Sequence, residues 1–422
     1  MLLKVHDRPA TEASASVGTF ASLKFRNFRL FFGGQLISQV GNWLTMIAQT
    51  LLVLKLTNSG IAIGVLAACQ FAPVLIFGPW AGLIADRSDK RKLLMIVQTL
   101  AMLQSFALAS LAFMHHTPLI PIFAVALFGG FTTAFDNPSR RAFVTEMVPD
   151  DHLNNAVSLN SALMTSSRIF GPALAGLLAA TVGYGWCFTV DGLSYIAVIL
   201  GLWLIRSNEL KPVVAAVRAK GQVRAGLRYV RSIPDLWLPL AMMGVIGTLS
   251  FNFQVVIPLL VKRDYHGTDA TFTLFFSIVS IGSLFGALLA ARRKTIDVRS
   301  VAVSAIAFGI AMLVLAASPN LGFGVPAAIL MGFASIWFMT ASTAIVQIRS
   351  APEMRGRVLA LQAMLFLGST PIGGPLLGWI CQTFGARAGL VVGGVAAMAA
   401  ATGGLVVVRR IGRFATPPVA TA

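Results

Sequence analysis

Charge is scarce in this chain, and acids are scarcest. Of 422 residues only 11% are charged, and 15 acids stand against 33 bases. A water-soluble domain carries about a quarter of its residues charged, so this composition excludes a soluble globular protein of this length. Cysteine is nearly absent. The three present, Cys69, Cys187 and Cys381, fall inside or at the edge of apolar runs, which excludes a disulfide framework and leaves free thiols packing as small apolar groups. No G-x-x-x-x-G-K-[ST] loop occurs and no polar stretch is long enough for a nucleotidase, so ATP hydrolysis is not expected. Neither a metal nor a cofactor is expected. The first 23 residues hold no long apolar core, and no cleaved signal peptide is expected there. Period-two alternation is missing as well, which argues against a membrane β-barrel.

What remains is apolar. Hydrophobic residues make up 56% of the chain and mean hydropathy is +0.80. A helix crosses the hydrocarbon core with ~20 mostly apolar residues, and windows of that size predict twelve spans. They lie at 30–53, 61–85, 93–113, 118–135, 156–181, 185–205, 236–260, 270–291, 298–317, 322–345, 357–383 and 387–408. The fold class is therefore an all-α membrane protein.

The bases sort by side. Over alternate connections, 28 of the 33 Lys and Arg fall on one side and four (Lys55, Lys262, Arg263 and Arg387) on the other, with Arg168 inside a span. Loops rich in Lys and Arg stay in the cytoplasm. Both termini and the basic connection are thus predicted to be cytoplasmic in a bacterial-type inner (plasma) membrane. The net charge of +18 reports topology, and no nucleic-acid partner is expected.

A repeat is legible. Pro149 precedes Gly171-Pro172 as Pro352 precedes Gly374-Pro375, an offset of 203, and a shift of 204 carries Gly78 and Gly82 onto Gly282 and Gly286, again followed by bases (Arg292, Arg293, Lys294). The chain reads as two parallel six-helix halves. A tail at 1–29 leads into a bundle at 30–205, a basic linker at 206–235, a second bundle at 236–408 and a tail at 409–422. The linker is too charged to span and should lie partly helical on the membrane surface. Paired halves of this kind form a transporter, with the substrate site near the midplane between them, and the halves together suffice for a working monomer.

Polar side chains within spans point to a cavity. In the first span, Gln35, Ser38, Asn42, Thr45 and Gln49 recur at three- and four-residue steps with Gln39 beside them, so they share one helical face. Facing lipid they would be costly, and the stripe is expected to face the bundle interior. The partner seventh span offers Asn252 and Gln254, and Trp43, Phe251 and Trp337 add aromatic walls suited to an amphiphilic small molecule. Ionisable groups at membrane depth are few: Arg168, placed to hold an anionic substrate group or pair with a carboxylate, and Asp191, which reads either as a proton carrier or as an N-cap near the start of the sixth span. In the fifth span Ser167, Gly171, Ala175 and Ala179, and in the eighth Gly282, Gly286 and Ala290, recur every four residues and permit close backbone contact. Pro172 and Pro375 are tolerated because neighbours satisfy the carbonyls they free.

The stretch "GLIADRSDKRKLL" (82–94) resembles the loop motif of the major facilitator superfamily, with Asp89 in place of the usual loop glycine. "NFRLFFGGQLISQVGNWLTMIAQTLLVLKLT", "NSALMTSSRIFGPALAGLL" and "APEMRGRVLALQ" are similar to its drug and siderophore exporter branch, the transmembrane secretion effectors. The resemblance implies a secondary active exporter, driven by protons and working by alternating access, with an importer or lipid flippase as the alternative on the same fold. "GPALAG" is similar to an antiporter motif, although Ala175 stands in place of its first closing glycine, and the fourth span lacks the arginine many antiporters carry there. An enzyme such as a prenyltransferase, using Asp86 and Asp89 to hold magnesium, is disfavoured because the second loop copy has no such pair. Physically, Gly82 would let the second and eleventh spans approach, and Asp86 would meet the positive helix end there, an interaction of roughly 0.3 to 2 kcal/mol. The resemblance makes this a latch of Gly82, Asp86, Arg87, Lys90 and Arg91, with Lys90 or Arg91 reaching Asp136. Ala290 replaces the acid in the second copy, so the latch is one-sided.

Overall fold

A computed structural model describes residues 18–211, 222–290 and 296–412. The basic cluster at 292–294 and parts of both tails and of the linker lie outside them. Twelve helical segments are long and apolar enough to cross a membrane, and no strand occurs among the described residues. The first six are α1 (Arg26–Thr57), α2 (Gly60–Arg87), α3 (Lys90–Ala112), α4 (Leu119–Glu146), α5 (Asp150–Thr181) and α6 (Tyr184–Leu204). A linker helix, α7 (Gln222–Ser232), follows. The seventh span is broken into α8 (Pro234–Leu249) and α9 (Phe253–Leu259), then α10 (Asp269–Ala290), α11 (Val298–Ala317) and α12 (Leu321–Arg349) follow. The eleventh span is broken into α13 (Pro352–Leu367) and α14 (Thr370–Phe384), and α15 (Ala386–Gly412) ends the described chain.

Local chemistry sets the boundaries. Ser59, Asp89, Asp297 and Asn320 cap α2, α3, α11 and α12 by accepting from the third residue on, which satisfies one orphan amide each. Asp89 therefore serves as an N-cap where the resembled motif has glycine. Gly183 and Gly385, with φ of 91° and 89°, make the tight turns after the fifth and eleventh spans; a side chain would strain both. Their separation, 202 residues, falls one short of the half-chain offset.

Helices α1 to α6 pack among themselves and α8 to α15 do likewise. The halves meet chiefly through α2 against α14 and α5 against α10, the pairs the internal repeat exchanges. These contacts lie toward one face. There, a Cβ on Gly60 or Gly64 would come within 2.6 or 2.4 Å of the carbonyl oxygens of Gly378 and Gly374, and one on Gly176 would overlap Thr273. Toward the other face, where α1 begins and most bases lie (the basic face), the halves part: a Cβ on Gly78 would meet nothing within 4 Å, and Val157 and Met164 of α5 are exposed.

The small-residue rows do different work from one another. Gly282 and Gly286 seat α10 on the carbonyls of Ile329 and Phe333 in α12, inside the second half, and Gly171 seats α5 on Trp43 of α1, inside the first. Pro172 is buried within a continuous α5, whereas Gly374-Pro375 lies on the α2 contact. Cys187 and Cys381 are buried free thiols and Cys69 is half-buried.

At the basic face, α7 docks on α13. Val230 is buried with Leu236, Val358 and Leu361, and the Tyr229 hydroxyl accepts from the Ala351 amide at 2.9 Å. Tyr229→Phe leaves that amide without its partner and is expected to lower stability by about 1 kcal/mol, read as a shifted thermal midpoint in detergent; an unchanged midpoint would refute the cap.

Candidate functional site

A cavity of about 290 Å3 is walled by residues of α1 to α6 alone. From α1 come Gln39, Asn42, Thr45 and Gln49 of the polar stripe, with Trp43; α3 adds Gln98, Gln104 and Ser105, α4 adds Asp136 and Arg140, and α6 adds Asp191 and Tyr195. Gln35 and Ser38 are buried one turn away, outside its walls. Asn252, Gln254 and Trp337 are not among its walls either. Asn252 sits at the α8–α9 break and donates to the Thr248 carbonyl at 2.8 Å, while Phe251 belongs to a ring cluster with Phe253, Phe308 and Phe366. The break turns Asn252 and Phe251 inward upon their own half.

Two acidic centres face the cavity. Asp136 pairs with Arg140 one turn along α4, and the Gln98 amide donates to its second oxygen at 2.6 Å. With its oxygen turned toward the guanidinium, the Gln39 amide accepts from Arg140. This pairing corrects the expected reach of Lys90 or Arg91 to Asp136. Helix α4 runs to Glu146, well beyond the apolar window, so Asp136 lies deep inside it with a base on its own helix. Lys90 instead pairs with Glu146 at 2.7 Å, and Arg91 donates to the carbonyls of Leu202 and Trp203 at the C-terminal end of α6, where a cation opposes the helix dipole.

Asp191 is the second centre. Far from capping α6, it lies two turns inside it and is fully buried, which corrects the N-cap alternative. Thr45 of α1 and Ser105 of α3 both donate to its Oδ2, at 2.6 and 2.7 Å, tying three helices to one carboxylate. Gly41 makes the room, for a Cβ there would stand 2.5 Å from Oδ1. Beyond it, Gln70 donates to Gln49 at 2.9 Å. Asp136 is balanced by Arg140, whereas Asp191 has no basic partner among the described residues. Arg168, on α5 between the Met164 and Gly171 positions that touch this region, has its Nε buried without a partner.

Opposite the basic face, the halves are tied by polar contacts. Arg263 donates to the Asn58 carbonyl and to Gln382, whose Oε1 also accepts from the Gly60 amide at 2.7 Å. Tyr184 donates to Asp269, which Lys262 also holds, and Trp43 meets Phe276 with ring centroids 6.1 Å apart. Gly82 and Asp86 lie at the other end, half-buried in the last turns of α2, and Arg87 is exposed there. Sequence reasoning missed Arg140, Gln98, Ser105, Arg263 and Tyr184. The i, i+4 spacing of Asp136 and Arg140 was available to find the first; the others needed neighbours distant in the chain.

The family described as transmembrane secretion effector matches residues 17–414. A staphyloferrin A transporter of Staphylococcus aureus is 25% identical over 85% of this chain and 90% of its own length. A macrolide efflux protein A of Streptococcus pyogenes is 23% identical over 83% and 89%, and an enterobactin exporter of Shigella boydii 22% over 94% and 95%. Among solved structures, an inward-facing, occupied bacterial homologue of the lysosomal transporter Spinster superposes with a TM-score of 0.74 at 14% identity, covering 93% of this chain and 98% of that one. A POT family transporter bound to a peptide conjugate gives 0.75 at 10% identity, over 92% and 96%. These low identities speak to fold alone.

Proposed function

Because the chain belongs to the transmembrane secretion effector family of the major facilitator superfamily, a family of transporters acting on small molecules and not of enzymes, we propose that it is a proton-coupled exporter. It moves an amphiphilic molecule, drug-like or siderophore-like, out across the inner membrane by alternating access, as a monomer with both termini in the cytoplasm. The observation that carries this is the cavity itself: amides and a buried carboxylate at membrane depth, among apolar walls, where an ionisable group marks function. Asp191 takes and releases the proton, Arg168 holds the anionic end of the cargo, and the Gln39, Asn42 and Gln49 amides with Trp43 grip its polar and apolar parts. Asn252, Gln254 and Trp337 join the site from the second half as the halves close. In the state opposite to this one the basic face shuts, and Asp86 with Gly82 approaches the start of α13 as a latch.

Everted vesicles supply the test. Under an imposed pH gradient, labelled macrolide or a carboxylate siderophore should accumulate inside vesicles carrying the protein. Asp191→Asn should bind cargo yet lose the response to the gradient. Full gradient dependence in that variant removes Asp191 from coupling, and flux only in right-side-out vesicles reverses the direction.

A further inference from the structure

We propose that helix α7 is a docking surface for anionic phospholipid headgroups on the basic face. The helix has two unlike sides. One is fixed to the second half: Gly226 lies against Leu361 and Arg357, Val230 is buried, and Tyr229 caps Ala351 at the start of α13. On the other side Arg228 and Arg231 are exposed, and neither forms an ion pair among the described residues. Leu227 adjoins these arginines and is 47% exposed.

Position supplies the partner. Only Ile233 separates Ser232 from Pro234, where the seventh span begins, so α7 cannot leave the membrane–water boundary. An amphipathic helix at that level, basic on one stripe with an apolar residue beside it, matches lipid charge with its arginines and acyl chain with its leucine. The docked side ties a bound lipid to α13, the half of the eleventh span that begins at the basic face.

The full chain, delipidated in neutral detergent, is titrated with short-chain phosphatidylglycerol and separately with phosphatidylcholine while its thermal midpoint is followed, since a ligand of the folded state raises it. Phosphatidylglycerol should raise the midpoint and phosphatidylcholine should not. Apparent affinity for phosphatidylglycerol should fall roughly fivefold for each arginine in Arg228→Gln and Arg231→Gln, whereas Arg228→Lys with Arg231→Lys should keep it. Equal response to both lipids, undiminished affinity in the glutamine double variant, or competition by millimolar inorganic phosphate would overturn the proposal. Transport is not part of the readout, so this surface and the export reading stand or fall separately.

Discussion

Gly64→Val is expected to open the face opposite the basic one and abolish transport. The added Cβ would stand 2.4 Å from the Gly374 carbonyl oxygen and 2.8 Å from the Pro375 Cα. These are backbone atoms of a packed helix, so no side chain can swing aside. Helices α2 and α14 must separate, taking with them the Gly60 amide contact to Gln382 and the Arg263 bridge beside it. Membrane helices associate through such close packing and not through apolar burial, so only the α5–α10 side, with its Tyr184–Asp269 bond, would be left to hold that face. A differential of about 5.5 kcal/mol suffices to move a two-state balance from 99:1 to 1:99. The measurement is a spin-label distance between Leu56→Cys and Phe384→Cys, both exposed, with the native thiols replaced by alanine. Several ångströms of widening with transport lost is the expected result; an unchanged distance in an active protein would refute the closure.

The second large effect concerns Asp136 and Arg140. Their side chains are 12% and 5% exposed, so removing either one leaves an uncompensated charge inside the bundle. Breaking a buried pair in this way costs about 3–5 kcal/mol, whereas replacing both partners by neutral residues can be nearly neutral. Asp136→Asn and Arg140→Met should each lower the thermal midpoint sharply. The double variant should regain most of the midpoint without regaining transport, because the cavity wall has lost its charged pair. If the double variant is no more stable than the singles, the two groups are not partners. If it transports normally, the pair is structural only.

Much of the architecture was legible beforehand because the bilayer imposes it. Twelve apolar windows, the offset near 203 and the lopsided bases all follow from transfer free energy and internal duplication, which act on local sequence. Helix ends were less legible. The fourth span was expected to stop at 135 and runs to Glu146, and the fifth begins at Asp150 instead of 156, since helices here continue past the hydrocarbon core into water. That extension is what buried Asp136 beside Arg140. The breaks at 250–252 and 368–369 were hidden because no charged residue stands at either one.

Within the site, the α1 stripe was readable because period and polarity lie in one segment. Gln39, Asn42, Thr45 and Gln49 line the cavity; Gln35 and Ser38 are buried elsewhere because the helix turns past the cavity's end. Asp191 was found by its depth, but its partners Thr45 and Ser105 sit 146 and 86 residues away, and nothing local marks them.

By itself, the sequence determined the solvent, the number of spans, the duplication and which side carries the bases, because each is a sum or a pattern over neighbouring residues. Tertiary structure alone decided which bases meet which acids, that the polar cavity belongs to the first half, and which face is shut. Those depend on where each helix ends and on contacts between different helices, whose energies exist only once the helices are in place.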